Sequence, residues 1–140
     1  MKTVRELMHY PVITVGPNDS LRQVVHLMNE HHIRHVPVVD DGHLIGIVTD
    51  RDVRLHVIFL EDRFENADSF NSALDAPADG VMTRDVWVLR PEHTVDEAAA
   101  LMISEKFGGA PVVEGESKLV GIVTYIDLLA ELRRLVNHRH

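Results

Sequence analysis

Gly46-Ile47-Val48-Thr49-Asp50-Arg51-Asp52 decides the reading of this chain, because it returns as Gly121-Ile122-Val123-Thr124-Tyr125-Ile126-Asp127. In each copy a short apolar run, suited to a buried strand, meets a threonine with an aspartate three residues on. A threonine with a carboxylate one turn later is also what a capped helix start requires. Working outward, the runs Val36-Pro37-Val38-Val39 and Ala110-Pro111-Val112-Val113 precede the two copies, each followed by a turn. Further back, Leu27-Met28 lies on Leu101-Met102, Pro17 on Pro91 and Met8 on Met82 at an offset of 74 residues. One extra residue before Leu119 shifts the offset to 75. The matches fall on turns, apolar runs and one polar trio, so they mark a duplicated structural unit.

Each unit reads β-α-β-β-α. The first opens with a helical turn over Val4–Met8 and an extended segment, Val12–Val15, stopped by Gly16-Pro17. Ser20 and Gln23 form a capping-box pattern ahead of Leu21, Val24, Val25 and Met28 at helical spacing. Strands are predicted over Val36–Val39 and Leu44–Val48, joined by Asp40-Asp41-Gly42. A helix from Asp50 turns Val53, Val57, Ile58 and Leu60 inward. In the second unit Val86–Leu89 is the extended piece, and Thr94 with Glu97 caps a helix carrying Val95, Ala98, Ala99 and Met102. Strands follow at Ala110–Val113 and Leu119–Val123, and a final helix over Tyr125–Val136 with Leu128, Leu129, Leu132 and Leu135 inward. The expected divisions are 1–60, a polar acidic connector over 61–77 that prolongs the first unit's helix, 78–136, and a tail over 137–140. The fold class is α/β (α+β), with two repeats packed in pseudo-twofold symmetry as one module.

The chain has 140 residues, the size of one compact domain. A lone repeat of about 65 residues would bury only roughly 60% of its unfolded surface, so two must share a core. A hydrophobic content of 45% supplies that core. No apolar run approaches the ~18 residues of a membrane span, and the first residues carry no signal-peptide pattern. The absence of cysteine excludes disulfides and thiolate chemistry and is compatible with the cytoplasm. The net charge of −8 divides evenly, each half carrying 7 basic and 11 acidic residues. Neither half offers the basic surface that nucleic acid or an anionic membrane would need.

This order and these residues resemble the cystathionine β-synthase (CBS) domain, and two in tandem are similar to a Bateman module. The carrying segments are His32-Ile33-Arg34-His35-Val36-Pro37-Val38-Val39-Asp40 and Phe107-Gly108-Gly109-Ala110-Pro111-Val112-Val113-Glu114, together with the two opening heptapeptides. The resemblance covers the chain apart from the connector and the tail. It implies two clefts for adenosine-containing ligands, namely AMP, ADP, ATP or S-adenosylmethionine. It also implies a regulatory, energy-sensing role toward a partner protein, and pairing into a homodimer.

The resemblance implies a first site of Val12, Ile13, Thr14, His35, Val36, Pro37, Thr49, Arg51 and Asp52. Asp52 can accept both hydroxyls of a ribose diol through its two oxygens. Thr49 stands where a helix N-terminus favours phosphate, and Arg51, read as the only nearby guanidinium, can meet that phosphate bidentately. The purine would use backbone at Val12–Thr14 and the residues before Pro37, whose missing N–H leaves the strand end open. His35, by protonation, would tune phosphate binding near neutral pH. The second site would be Val86, Trp87, Gly109, Ala110, Pro111, Thr124 and Asp127. There Tyr125-Ile126 replaces Asp50-Arg51, so phosphate is poorly met and the two sites are expected to be unequal. Trp87 is expected to pack rather than stack on a purine.

Two other readings use the same residues. The clefts stay empty and the duplicated fold only dimerises or docks a partner, or the ten histidines hold a metal. His31 and His35 have i, i+4 spacing, but a strand beginning near Val36 separates their faces, and no His-Glu-x-x-His pattern is present. No nucleophile–base pair stands out and no attached catalytic domain is seen, so neither catalysis, a catalytic cofactor nor a metal is expected.

Overall fold

The structure, a computed structural model, describes residues 2–61 and 71–138, and side chains are not described over 58–61. The side chains of Ile58 and Leu60, expected inward, are among those not described, and most of the 61–77 connector lies outside the described residues. The elements run α1 (Val4–Leu7), α2 (Leu21–His31), β1 (His35–Asp40), β2 (His43–Thr49), α3 (Asp50–Glu61), a 3-10 turn (Ala78–Gly80), α4 (Val95–Glu105), β3 (Gly109–Glu114), β4 (Lys118–Thr124) and α5 (Tyr125–Asn137). The mixed helix and strand composition is the α/β class read from the sequence.

The chain divides into two compact units, Ile13–Val86 and Met1–Val12 with Trp87–His140. These units do not follow the repeat divisions 1–60 and 78–136, because each repeat's opening segment belongs to the other's core. Ala78 and Met82 are buried with Val24, Val36, Val38 and Val48 in one core. Val4 is buried in the other with Leu89, Ala98, Val112 and Val123, and Met8 packs against it.

Within Ile13–Val86, β1 and β2 form a hairpin in which Asp40 pairs with His43. The two-residue loop has Asp41 at φ 53° and Gly42 at φ 80°, the paired positive values of a type I′ turn. In the other unit Glu114 pairs with Lys118 around a three-residue loop, with Gly115 at φ 61°. That longer loop holds the extra residue that shifts the repeat offset.

The predicted first strand of each repeat contracts to a single parallel bridge. Val15 N–H donates to Pro37 C=O (3.1 Å) and Val39 N–H to Val15 C=O (2.9 Å); Leu89 does the same with Pro111 and Val113, at 2.9 Å each. Extending either ladder backward would require Pro37 or Pro111 to donate an N–H to the carbonyl of Ile13 or Trp87, and proline has none.

Ser20 accepts from Gln23 N–H, whereas Thr94 and Glu97 complete a reciprocal capping box. The last helix departs from expectation. Only Leu128 of its four expected inward leucines packs on the core, while Leu129, Leu132 and Leu135 are exposed. The inward position falls instead to Glu131, which two cations meet.

Candidate functional site

Each candidate site begins where a strand becomes a helix. Thr49 ends β2 and Asp52 stands in the first turn of α3. Thr49 N–H donates to Asp52 Oδ2 (2.9 Å) and Asp52 N–H to Thr49 Oγ1 (3.1 Å). The capping geometry thus fixes the carboxylate at the helix mouth. A third residue, not singled out from sequence, completes the arrangement: Thr83 Oγ1 donates to Asp52 Oδ1 (3.1 Å) and lies 3.3 Å from Oδ2. Thr83 is brought there by an antiparallel bridge to Ile47, with backbone bonds of 2.8 and 3.0 Å.

The flank of this mouth is built from β1. His35 pairs with Thr49 across the hairpin, and Val36 and Pro37 are buried. Asp50 N–H donates to Arg34 C=O (3.0 Å), which sets Arg34 beside the mouth as well. Arg51 is therefore not the sole guanidinium there; both arginines are exposed. Asp50 also pairs with Arg54 (3.6 Å). Burial lowers the pKa of His35, Asp50 raises it, Arg34 lowers it and Asp52 raises it, with burial prevailing. His35 thus resists the protonation near neutral pH expected of it from sequence. Ile13 and Thr14 run into the Val15 bridge beside β1, while Val12 falls in the other compact unit.

The second mouth repeats the first with different substituents. Thr124 N–H donates to Asp127 Oδ2 (2.8 Å), and Thr124 Oγ1 lies 3.5 Å from the same oxygen. His9 Nε2 stands 2.5 Å from Asp127 Oδ1. Gly109 pairs with Thr124, and Ala110 and Pro111 are buried like Val36 and Pro37. Tyr125 N–H donates to Gly108 C=O (2.9 Å). A Cβ on Gly108 would meet the Tyr125 ring at 3.4 Å, so the ring covers the glycine face where the first mouth has Arg34. Trp87, expected to pack, keeps half its surface exposed, since its extended segment joins β3 only through the single Leu89 bridge. Val86 falls in the other compact unit.

Among the described residues no group of three or more His, Asp or Glu is placed to hold a metal ion, and no helix is long and apolar enough to cross a membrane.

A mouth capped by threonine and aspartate after a hairpin with a central proline, built twice, defines a duplicated strand-to-helix fold. The sequence pattern of the CBS domain matches residues 4–58 and 78–134, and the chain belongs to that family as a tandem pair. It is 32% identical over 130 residues to inosine-5′-monophosphate dehydrogenase of Methanocaldococcus jannaschii, a match covering 92% of this chain but 23% of the enzyme. The chain thus spans under a quarter of that relative's length. Among solved structures it is similar to CBSX2 in complex with AMP (TM-score 0.81, 25% identity, 96% of this chain and 98% of that one). It is also similar to the CBS domain pair of protein MJ0100 in complex with 5′-methylthioadenosine and S-adenosyl-L-methionine (TM-score 0.77, 28% identity, 100% and 99%).

Proposed function

We propose that this CBS pair is a non-catalytic sensor that takes an adenosine-containing ligand at its two helix mouths and relays occupancy to a partner protein. The observation that carries this reading is the carboxylate fixed by its own helix cap, twice, at Asp52 and Asp127. A carboxylate so held accepts from backbone with one oxygen and keeps acceptor capacity for a sugar diol. The CBSX2 and MJ0100 structures, with AMP and with S-adenosyl-L-methionine, support the ligand class. In the first site Thr49 and Asp52 hold the ribose, Arg51 and Arg34 meet phosphate, and His35, Val36, Pro37 and the backbone of Ile13 and Thr14 take the purine. In the second, Thr124 and Asp127 hold the ribose, with Trp87, Gly109, Ala110 and Pro111 around the base. Tyr125 and Ile126 offer no cation, so the first site favours AMP-like ligands and the second a less charged adenosyl group.

A thermal-shift panel of AMP, ADP, ATP and S-adenosylmethionine tests the reading. Ligand at about 100 times its dissociation constant adds about 2.7 kcal/mol of stability. A panel without any shift at saturating ligand removes the sensor role.

A second observation favours self-association. Tyr125, Leu129, Leu132 and Val136 stand at i, i+4, i+7 and i+11 of α5, all exposed. An apolar stripe on a capped helix suits a second copy of the same chain, the homodimer expected from the family. Sedimentation of the wild type and Leu132→Asp tests it: a dimer converted to monomer supports the pairing, and a monomeric wild type removes it.

A further inference from the structure

Asp52 and Asp127 occupy matching places in the two repeats, yet the groups that meet their Oδ1 atoms differ in kind. Thr83 meets Asp52 and His9 meets Asp127. The 74-residue offset makes His9 and Thr83 the same position, each directly after a core-facing methionine. Each is delivered by the same backbone bridge. Thr83 exchanges bonds with Ile47, and His9 N–H donates to Ile122 C=O (2.9 Å) while Ile122 N–H returns to His9 C=O (3.1 Å).

A hydroxyl can rotate, donating or accepting as a ligand demands, and it does not titrate near neutral pH. An imidazole changes charge in the physiological range, and its protonated form donates from both nitrogens. Against a carboxylate that form makes a charge-assisted bond, roughly twice as strong as a neutral one. We propose that His9 is the specificity-determining residue of the second mouth, where it competes with a nucleoside diol for Asp127 Oδ1. Protonation strengthens the competitor, so the second mouth captures the diol in mildly alkaline solution and releases it in mildly acidic solution. The Thr83 mouth lacks this device. The inference rests on the adenosyl reading above and adds the regulation of one of its sites.

The other charged groups around His9 have partners of their own. On α5, Glu131 lies one turn beyond Asp127 and is engaged by Arg134 and Lys2. On α1, Arg5 pairs with Glu114 and Glu92, and Glu6 accepts from Thr3. The adjoining strand β4 meets His9 through Ile122 backbone, with Thr124 and Tyr125 at its end. The His9 side chain is 70% exposed and Asp127 11%, so solvent protons reach the ring while the carboxylate stays in place.

Adenosine is the suitable probe because it carries the diol without phosphate. Calorimetric titration of Asp52→Ala, which silences the first mouth, reads the second alone. We expect its affinity to fall about tenfold between about pH 8 and about pH 5.5. In the double variant with His9→Gln, which keeps a donor but cannot titrate there, the affinity stays level. An unchanged affinity in Asp52→Ala, or an equal fall after His9→Gln, overturns the inference. So does adenosine binding to the wild type with none to Asp52→Ala at either pH. If the wild type itself takes up no adenosine or AMP, the adenosyl reading fails as well, and that result is distinguishable from the others.

Discussion

Met82 lies over Gly46 so closely that a Cβ on the glycine would stand 2.5 Å from Met82 Sδ and 2.9 Å from Thr83 C=O. Met8 covers Gly121 in the same way in the other unit. The contact places the segment that delivers Thr83, or His9, against its strand, so the missing side chain at Gly46, or Gly121, makes room for the methionine that precedes the polar group. Gly46→Ala should cost about 1–3 kcal/mol, the usual penalty for an added methyl without room. Urea unfolding of Gly46→Ala, alone and with Met82→Ala, checks the cause. The glycine substitution should cost less once Met82 is shortened; equal costs in both backgrounds would exclude this contact.

Thr83→Val removes the hydroxyl from Asp52 and leaves the backbone bridge to Ile47 intact. The expected result is AMP binding weaker by about fivefold, near 1 kcal/mol for one hydrogen bond, with little change in unfolding midpoint. Calorimetry reads the first quantity and urea titration the second. Unchanged affinity would show that Thr83 has no part in holding the carboxylate for its ligand.

Glu131 gives an acid limit to the second unit's stability. Hydrogen bonds from Arg134 and then Lys2 outweigh the opposing effect of burial and hold its pKa at about 2, against 4.5 for an ordinary glutamate. The folded protein therefore keeps this carboxylate ionised at pH values where the unfolded chain takes up a proton. Its stabilising contribution is complete above about pH 4.5 and is lost as pH falls toward about 2. Glu131→Gln should be less stable than wild type at neutral pH, with the difference shrinking on acidification through that window. A constant difference would contradict the assignment.

His35 acts with the same sign in a different window. Its folded pKa lies below 6.5, mainly through burial, so folding favours the neutral ring. Stability is full above about 6.5 and declines as pH falls through the folded value, because the unfolded chain binds the proton first. Chemical denaturation of wild type and His35→Gln between about pH 8 and about pH 5 checks this across histidine's ordinary range. The variant should lose the part of the decline owed to the ring, and parallel curves would refute it.

How much was legible in the sequence follows from the range of each interaction. Thr49 with Asp52 and Thr124 with Asp127 are three residues apart, so local spacing reveals them. Thr83 reaches Asp52 across 31 residues and His9 reaches Asp127 across 118. No local pattern predicts those meetings, although the 74-residue offset already aligned His9 with Thr83. The final helix misled for another reason. Hydrophobicity alone turns Leu129, Leu132 and Leu135 inward, but Asp127 is fixed by the cap and Leu128 faces the core. That rotation turns Glu131 inward, where Lys2, from the far end of the chain, and Arg134 neutralise it.

The direct test is calorimetric titration of AMP and adenosine into four folded proteins: the wild type, Asp52→Ala, Asp127→Ala and the double variant. Each substitution should abolish or weaken one binding event by about 10–100-fold, as expected for lost hydrogen bonds to a charged group, and the double variant should bind neither compound. A double variant with native circular dichroism that still binds AMP or adenosine with wild-type affinity would contradict the account.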